Sequence, residues 1–179
     1  MTVSAAVPEL AVTNKRRSTT FLFTDMVGST EMLTMLGEAT WLRALREHNS
    51  VVMDVVERNG GSMLKFLGDG WMVTFSCPRD AIDAAVGIQR SHETTSDDGF
   101  RVRIGVHSGT ALEEVELGDL VGKDVVRASR ITHEAGPGEI VASADVVDVL
   151  GSTDERFDGG RIAHLKGLGP HLVFGVNWA

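Results

Sequence analysis

Two hydrophobic periods alternate along the chain, and the switches between them mark out its elements. A short apolar run, Phe21-Leu22-Phe23, reads as a strand that ends at Asp25 and turns through Val27, Gly28, Ser29 and Thr30 towards a helix start. Residues 38–59 carry a helical stripe, Leu42, Leu45, Val52 and Val56, stopped by Gly60-Gly61. Strands at about 63–67 and 71–75 flank Gly68-Asp69-Gly70, whose Asp-Gly pair signals a hairpin with positive φ at both central positions. After Pro78, the spacing of Ala81, Ala84, Ala85 and Ile88 predicts a helix ending near His92, ahead of a polar loop at 97–99. Residues 101–108 alternate strictly, with Val102, Ile104 and Val106 on one face and Arg101, Arg103 and His107 on the other. A second strand, about 111–117, is expected to pair with that one and to project as an arm. Residues 122–135 return to the helical period through Val125, Ala128, Ile131, Thr132 and Ala135, until Gly136-Pro137-Gly138 stops them. Strands at 140–142, 161–165 and 172–176 and a short helix at 144–150 complete the chain. The order β-α-β-β-α-β with additions predicts an α+β fold: a ferredoxin-like core, one mostly antiparallel sheet covered by helices, plus C-terminal extra elements.

Composition narrows the function. At 179 residues, 42% hydrophobic and 23% charged, the chain has the length and balance of one soluble domain. A net charge of −8 argues against a general nucleic-acid binder, so any phosphate site must concentrate its few cations or borrow metal ions. One cysteine, Cys77, excludes an internal disulfide and a Cys-rich metal site, and it reads as packing rather than nucleophile. No apolar run approaches the ~20 residues that span a bilayer. Residues 1–17 are read as a flexible tail, because the basic cluster Lys15-Arg16-Arg17 follows its apolar stretch and so does not resemble a secretion signal. Residues 18–179 are read as the domain, with a cytoplasmic location and no membrane partner. The six histidines show no i, i+4 pairing with a partner glutamate, and there is no Walker-type phosphate loop.

The chemistry starts at Phe-Leu-Phe-Thr-Asp-Met-Val-Gly-Ser-Thr, residues 21–30. A carboxylate at a strand end beside a helix-opening turn offers both a cation ligand and amides that favour phosphate. Taken alone, the same stretch reads as a strand ending in a cap cluster, and Asp69 as a turn residue. In a ferredoxin-like sheet, however, the first strand and the central hairpin are neighbours, so Asp25 and Asp69 can converge. Two such carboxylates suit a two-metal phosphoryl site, with ions ~3.5–4 Å apart.

Five stretches in order, FLFTDMVGST, KFLGDGWMVTF, RVRIGVHSG, DLVGKDVVRASR and LKGLG, resemble the class III nucleotidyl cyclase catalytic domain from about residue 18 onward. The resemblance implies conversion of ATP to cyclic AMP and pyrophosphate, or GTP to cyclic GMP, with two Mg²⁺ or Mn²⁺ ions. It implies that Asp25, Asp69 and the Met26 carbonyl hold metal, and that Val27, Gly28, Ser29 and Thr30 receive the β and γ phosphates. Lys65 and Asp119 match the purine-selecting pair. Their donor and acceptor suit adenine, whereas guanine-specific relatives resemble Glu and Cys there, so the expected activity is adenylate cyclase. Arg130 matches the arginine that stabilises charge at the α-phosphate, and Lys166 matches a triphosphate lysine. One position departs: Val126 stands where the family has a ribose-orienting asparagine, or His in some bacterial members. Loss of that hydrogen bond, ~1–3 kcal/mol, predicts a reaction slower by about 10–100-fold. Arg127, about 100° round the helix, is not placed to replace it.

The family builds its sites between two domains, metals from one and base, arginine and lysine from the other. One chain carrying both halves therefore implies a head-to-tail homodimer. The rival reading is a cyclase-like module that binds nucleotide with little or no turnover. A diguanylate cyclase is disfavoured by the lack of a GGDEF-like run.

Overall fold

A computed structural model describes residues 12–95, 100–114, 118–151 and 154–179 of the chain. The elements run β1 (Val12–Met26), α1 (Ser29–Leu36), α2 (Glu38–Arg58), β2 (Ser62–Phe66), β3 (Trp71–Phe75), α3 (Pro78–Thr95) and β4 (Val102–Glu114). They continue with β5 (Asp119–Val121), α4 (Lys123–Thr132), β6 (Ile140–Ser143), α5 (Ala144–Leu150), β7 (Arg161–Leu165) and β8 (Gly169–Gly175). The sheet order is β2-β3-β1-β4-β6-β8-β7, with β5 pairing β4 off that path. All the pairings are antiparallel except β4 with β6. The α+β reading and its ferredoxin-like core, β2-β3-β1-β4 with the α1/α2 and α3 crossovers, are therefore what the chain forms.

Alternation along β1 and β4 separates two layers. Leu22, Met26, Val102, Ile104 and Val106 enter the main core with Ala44, Val52, Val55 and Val56 of α2 and Ala81, Ala84, Ala85 and Ile88 of α3. Phe21 and Phe23 point the other way, where they meet Met72, Ala111 and Ala128 of α4. The C-terminal half of α4 continues over the sheet through Ile131, which packs with Val141, Ala163, Leu165 and Val173. Each fully buried aliphatic side chain of this kind contributes about 1.5–3 kcal/mol, enough to fix α4, and whatever it carries, against the sheet.

Several expectations are corrected. Residues 12–17, expected in a flexible tail, are strand: β1 begins at Val12 and pairs with β4 from Val12↔Glu114 onward. The expected strands at 101–108 and 111–117 are one strand, β4, which runs through to Glu114. Its hairpin partner is Asp119–Val121; positions 97–99 and 115–117 lie outside the described residues. The helix expected over 122–135 ends at Thr132. At the β2–β3 turn, Gly68 alone takes positive φ, at 104°, and neither Asp69 nor Gly70 does. Among the described residues no helix is long and apolar enough to cross a membrane.

Candidate active site

β1 is a central strand, and burial of Phe21, Leu22 and Phe23 fixes its C-terminal end. The chain leaves the sheet where the Val27 N–H donates to the Arg101 carbonyl at 2.9 Å. Gly28, at φ 72°, makes the left-handed step that opens α1. Val27 therefore has its amide occupied, while the amides of Gly28, Ser29 and Thr30 have no protein acceptor among the described residues and stand at a helix N-terminus.

The β2–β3 hairpin docks its tip against this turn. The Met26 N–H donates to the Asp69 carbonyl at 3.2 Å. Gly70 lies so close to β1 that a Cβ there would overlap the Thr24 carbonyl. The tip consequently carries Asp69 to the end of β1, where the Ser29 hydroxyl donates to its Oδ2 at 2.6 Å. Asp25 is held from the other side: it sits opposite Arg103 in the β1–β4 register, and Arg103 Nε donates to Asp25 Oδ2 at 2.5 Å. This charge-assisted bond fixes the carboxylate. The alternation of β4 puts Arg103 on the face away from the main core, but only the strand register reveals Asp25 as its partner.

The Oδ1 atoms of both aspartates have no protein partner among the described residues. Two carboxylates and a backbone carbonyl form a hard-oxygen set, and Mg²⁺ is typically held by one or two carboxylates completed by substrate phosphates. No cluster of three His, Cys, Asp or Glu side chains fit to hold a metal occurs among the described residues. The chemistry of this donor set fits a hard divalent cation whose remaining positions are filled by other oxygens.

A second cavity, of about 310 Å³, lies on the α4 side of the sheet and gathers Lys65, Asp119, Val126, Ser129 and Arg130 above Phe23 and Met72. Lys65 reaches it from β2, where the register shifts between Met63 and Lys65; such a bulge re-aims the side chains beside it. Lys65 Nζ donates to Asp119 Oδ2 at 2.5 Å, and Asp119 Oδ1 accepts from the Leu120 N–H at 2.8 Å. Val126 is 47% exposed. Arg127 turns away and pairs with Asp124 at 2.8 Å. Arg130 Nε is buried and has no hydrogen-bond partner.

The cavity beside the first turn, about 280 Å³, is lined by Ser29, Thr30, Leu33, Trp41, Leu67, Gly68 and Asp69. It shares only Leu67 with the larger one. Each is near the lower limit of small-molecule sites, ~300 Å³. The predicted residues therefore fall into two groups, Ser29, Thr30 and Asp69 around one cavity and Lys65, Asp119, Val126 and Arg130 around the other; Asp25 lines neither and joins the first group through the Met26–Asp69 backbone bond beside it. Lys166 belongs to neither cavity. It is exposed on the β7–β8 turn, whose Leu165 and Leu168 pack beside Ile131, next to Arg130 on α4.

Comparison with known proteins identifies the family and the fold. A family model described as the adenylate and guanylate cyclase catalytic domain matches residues 12–177. An uncharacterized protein of Mycobacterium tuberculosis is 34% identical over 128 residues, covering 72% of this chain and 33% of that protein. A protein named adenylate cyclase from Glutamicibacter nicotianae is 27% identical over 150 residues, covering 82% of this chain and 36% of its own length. The chain thus spans about a third of these curated relatives. Among solved structures, the guanylyl cyclase Cya2 superposes with a TM-score of 0.80 at 22% identity, covering 90% of this chain and 92% of that one. The adenylyl cyclase CyaB of P. aeruginosa superposes with a TM-score of 0.74 at 21% identity, covering 90% and 94%.

Proposed function

The chain belongs to the adenylate and guanylate cyclase catalytic domain family, and from that membership we propose that it forms cyclic AMP and pyrophosphate from ATP. The choice of ATP is carried by one observation: Lys65 and Asp119 meet in the cavity that also holds Arg130. A lysine donates to adenine N1 and a carboxylate accepts from the N6 amino group, whereas guanine presents the reverse pattern. In the reaction the ribose O3′ forms a bond to the α-phosphorus, the bond to the pyrophosphate oxygen breaks, and the 3′-hydroxyl gives up its proton. Arg130, with its unpartnered Nε, answers the charge that develops on the α-phosphate; preorganised groups of this kind are worth roughly 10²–10³ in rate. The amides of Gly28, Ser29 and Thr30, with Lys166, take the β and γ phosphates. Two divalent cations, Mg²⁺ or Mn²⁺, would be held by Asp25, Asp69 and the Met26 carbonyl and would supply charge neutralisation and a more acidic 3′-hydroxyl.

Separation of the two groups of residues by Leu67 supports a head-to-tail homodimer in which one protomer's turn faces its partner's base cavity. The absence of a membrane-crossing helix among the described residues is compatible with work in the cytoplasm. The test is direct. Purified protein with Mn²⁺ should release cyclic AMP and pyrophosphate in equal amounts from ATP and much less cyclic product from GTP. Equal use of both purines would remove the adenylate assignment. A second reading, a nucleotide-binding module without turnover, rests on Val126, and tight ATP binding with no product from either triphosphate would select it.

A further inference from the structure

Val126 leaves the base cavity without the polar side chain that would orient a ribose, yet the same helix carries a hydroxyl one turn away. Ser129 lines the cavity with Val126 and Arg130. At 3.6 residues per turn, Ser129 lies about 60° to one side of Val126 and Arg130 about 40° to the other. A ligand group above Val126 is therefore flanked by both, whereas Arg127 is turned away onto Asp124. Serine and threonine hydroxyls inside helices commonly back-bond to the carbonyl four residues earlier. Thr132, on this same helix, does so with the Ala128 carbonyl at 3.1 Å. Ser129 does not, and its hydroxyl has no partner among the described residues. Beside it the buried Arg130 Nε also lacks one. A buried nitrogen without a partner, beside a half-buried hydroxyl that no protein group engages, makes this stretch of wall one that a polar ligand can complete.

We propose that Ser129 replaces the missing residue at position 126 and hydrogen-bonds the ribose of the nucleotide, orienting it for closure of the cyclic phosphate. This rests on the cyclase reading above. It makes Ser129 a positioning residue that acts on the bound substrate's geometry more than on its affinity for base or phosphate. A serine hydroxyl both donates and accepts, so either the ring oxygen or a ribose hydroxyl satisfies it.

Kinetics of Ser129→Ala, Ser129→Thr, Val126→Asn and Val126→Asn/Ser129→Ala with Mn²⁺ and ATP test the role. Alanine is a better helix former than serine, so Ser129→Ala should leave α4 intact. It should lower kcat about 10–100-fold with KM changed less than about threefold, as expected for one lost hydrogen bond. Ser129→Thr should keep most of the activity. In the Val126→Asn background, where an asparagine takes over the contact, Ser129→Ala should cost no more than about threefold. An unchanged kcat in Ser129→Ala, or the same loss in both backgrounds, overturns the proposal.

Binding separates this from failure of the cyclase reading. Even without turnover, the wild type should hold Mn·ATP about two- to threefold more tightly than at least one of 2′,3′-dideoxy-ATP and the analogue with a methylene in place of the ring oxygen, a preference within the small KM change expected. Ser129→Ala should erase that difference. Equal affinity of the wild type for all three nucleotides overturns the role of Ser129, whatever the activity.

Discussion

Lys65 and Asp119 already satisfy each other, so under the proposed adenylate cyclase reading adenine would enter between two groups that are paired. The Lys65 side chain is 54% exposed, and an ion pair so open to water is screened. Pairs of this kind are worth ~0–1 kcal/mol, a small cost for a base that offers both groups a better partner. The selective power lies in the alternative. Guanine would face a donor with a donor and an acceptor with an acceptor, and sites with mismatched polar groups reject analogues strongly. Lys65→Glu combined with Asp119→Cys, the residues that guanine-specific relatives resemble, should lower the ATP:GTP ratio of kcat/KM by about 10² or more. An unchanged ratio would move base selection elsewhere. Arg103 is a second lesson at this scale. Its position on the outward face of β4 could be read from alternation alone, but its bond to Asp25 depends on register, which a single strand does not encode.

Among the elements, α2, α3 and β1 are tied by a buried polar chain that the cyclase chemistry does not use. His48 Nδ1 and His92 Nε2 are 3.0 Å apart, and His48 Nε2 lies 3.4 Å from the Thr24 hydroxyl. That hydroxyl also accepts the Trp71 N–H at 3.0 Å, and Phe100 packs edge-on against both rings. Burial, helped by the neighbouring imidazole, lowers the His48 pKa to about 3, and burial lowers that of His92 to about 4. Both are therefore neutral in the folded chain well below 6.5, while the unfolded chain takes up protons from about pH 6.5 downward. Stability should fall as the pH drops from about 6.5 towards 4, because only the unfolded state gains protons there. Thermal unfolding followed by circular dichroism should show this slope flattened in His92→Gln. Parallel slopes in variant and wild type would assign the acid sensitivity to groups other than His92, among them the buried His107, whose pKa burial also lowers.

The elements differ in how far sequence reveals them. Helices with a strong stripe and strands with strict alternation stand out, since each buries one face. The start of β1 does not: Val-Thr-Asn-Lys-Arg-Arg-Ser has no alternation, and its strand state comes from backbone pairing with β4. The same pairing carries β4 past Ser108-Gly109, opposite Thr19 and Thr20, where the local sequence suggests a break. The hairpin tip shows a related limit, because Gly70 is required by the approach of β1 and not by a turn conformation.

At the scale of the molecule, the proposed reaction would divide its substrate between residues of two cavities, of about 280 and 310 Å³. A site completed by a second copy makes activity depend on association, so specific activity should rise with protein concentration until dimers saturate. Asp25→Ala and Lys65→Ala should each be inactive as homodimers. Mixed, they should recover one intact site per heterodimer, since one protomer retains the metal-binding group and the other the base-binding group. No recovery in mixtures proven to contain heterodimers would refute shared sites. The candidate metal and base residues were readable as motifs, but their division by Leu67 was visible only once the hairpin was folded.

That hairpin carries a further consequence. Asp69 stands four residues from Lys65 on it, and the contact of Gly70 with the Thr24 carbonyl fixes it against β1. In a shared-site dimer Asp69 would serve one centre and Lys65 the other, so each hairpin is a common wall between neighbouring rooms. A nucleotide that steadies the wall from one side finds it already steadied for the next. The two centres of such a dimer would fill as a pair.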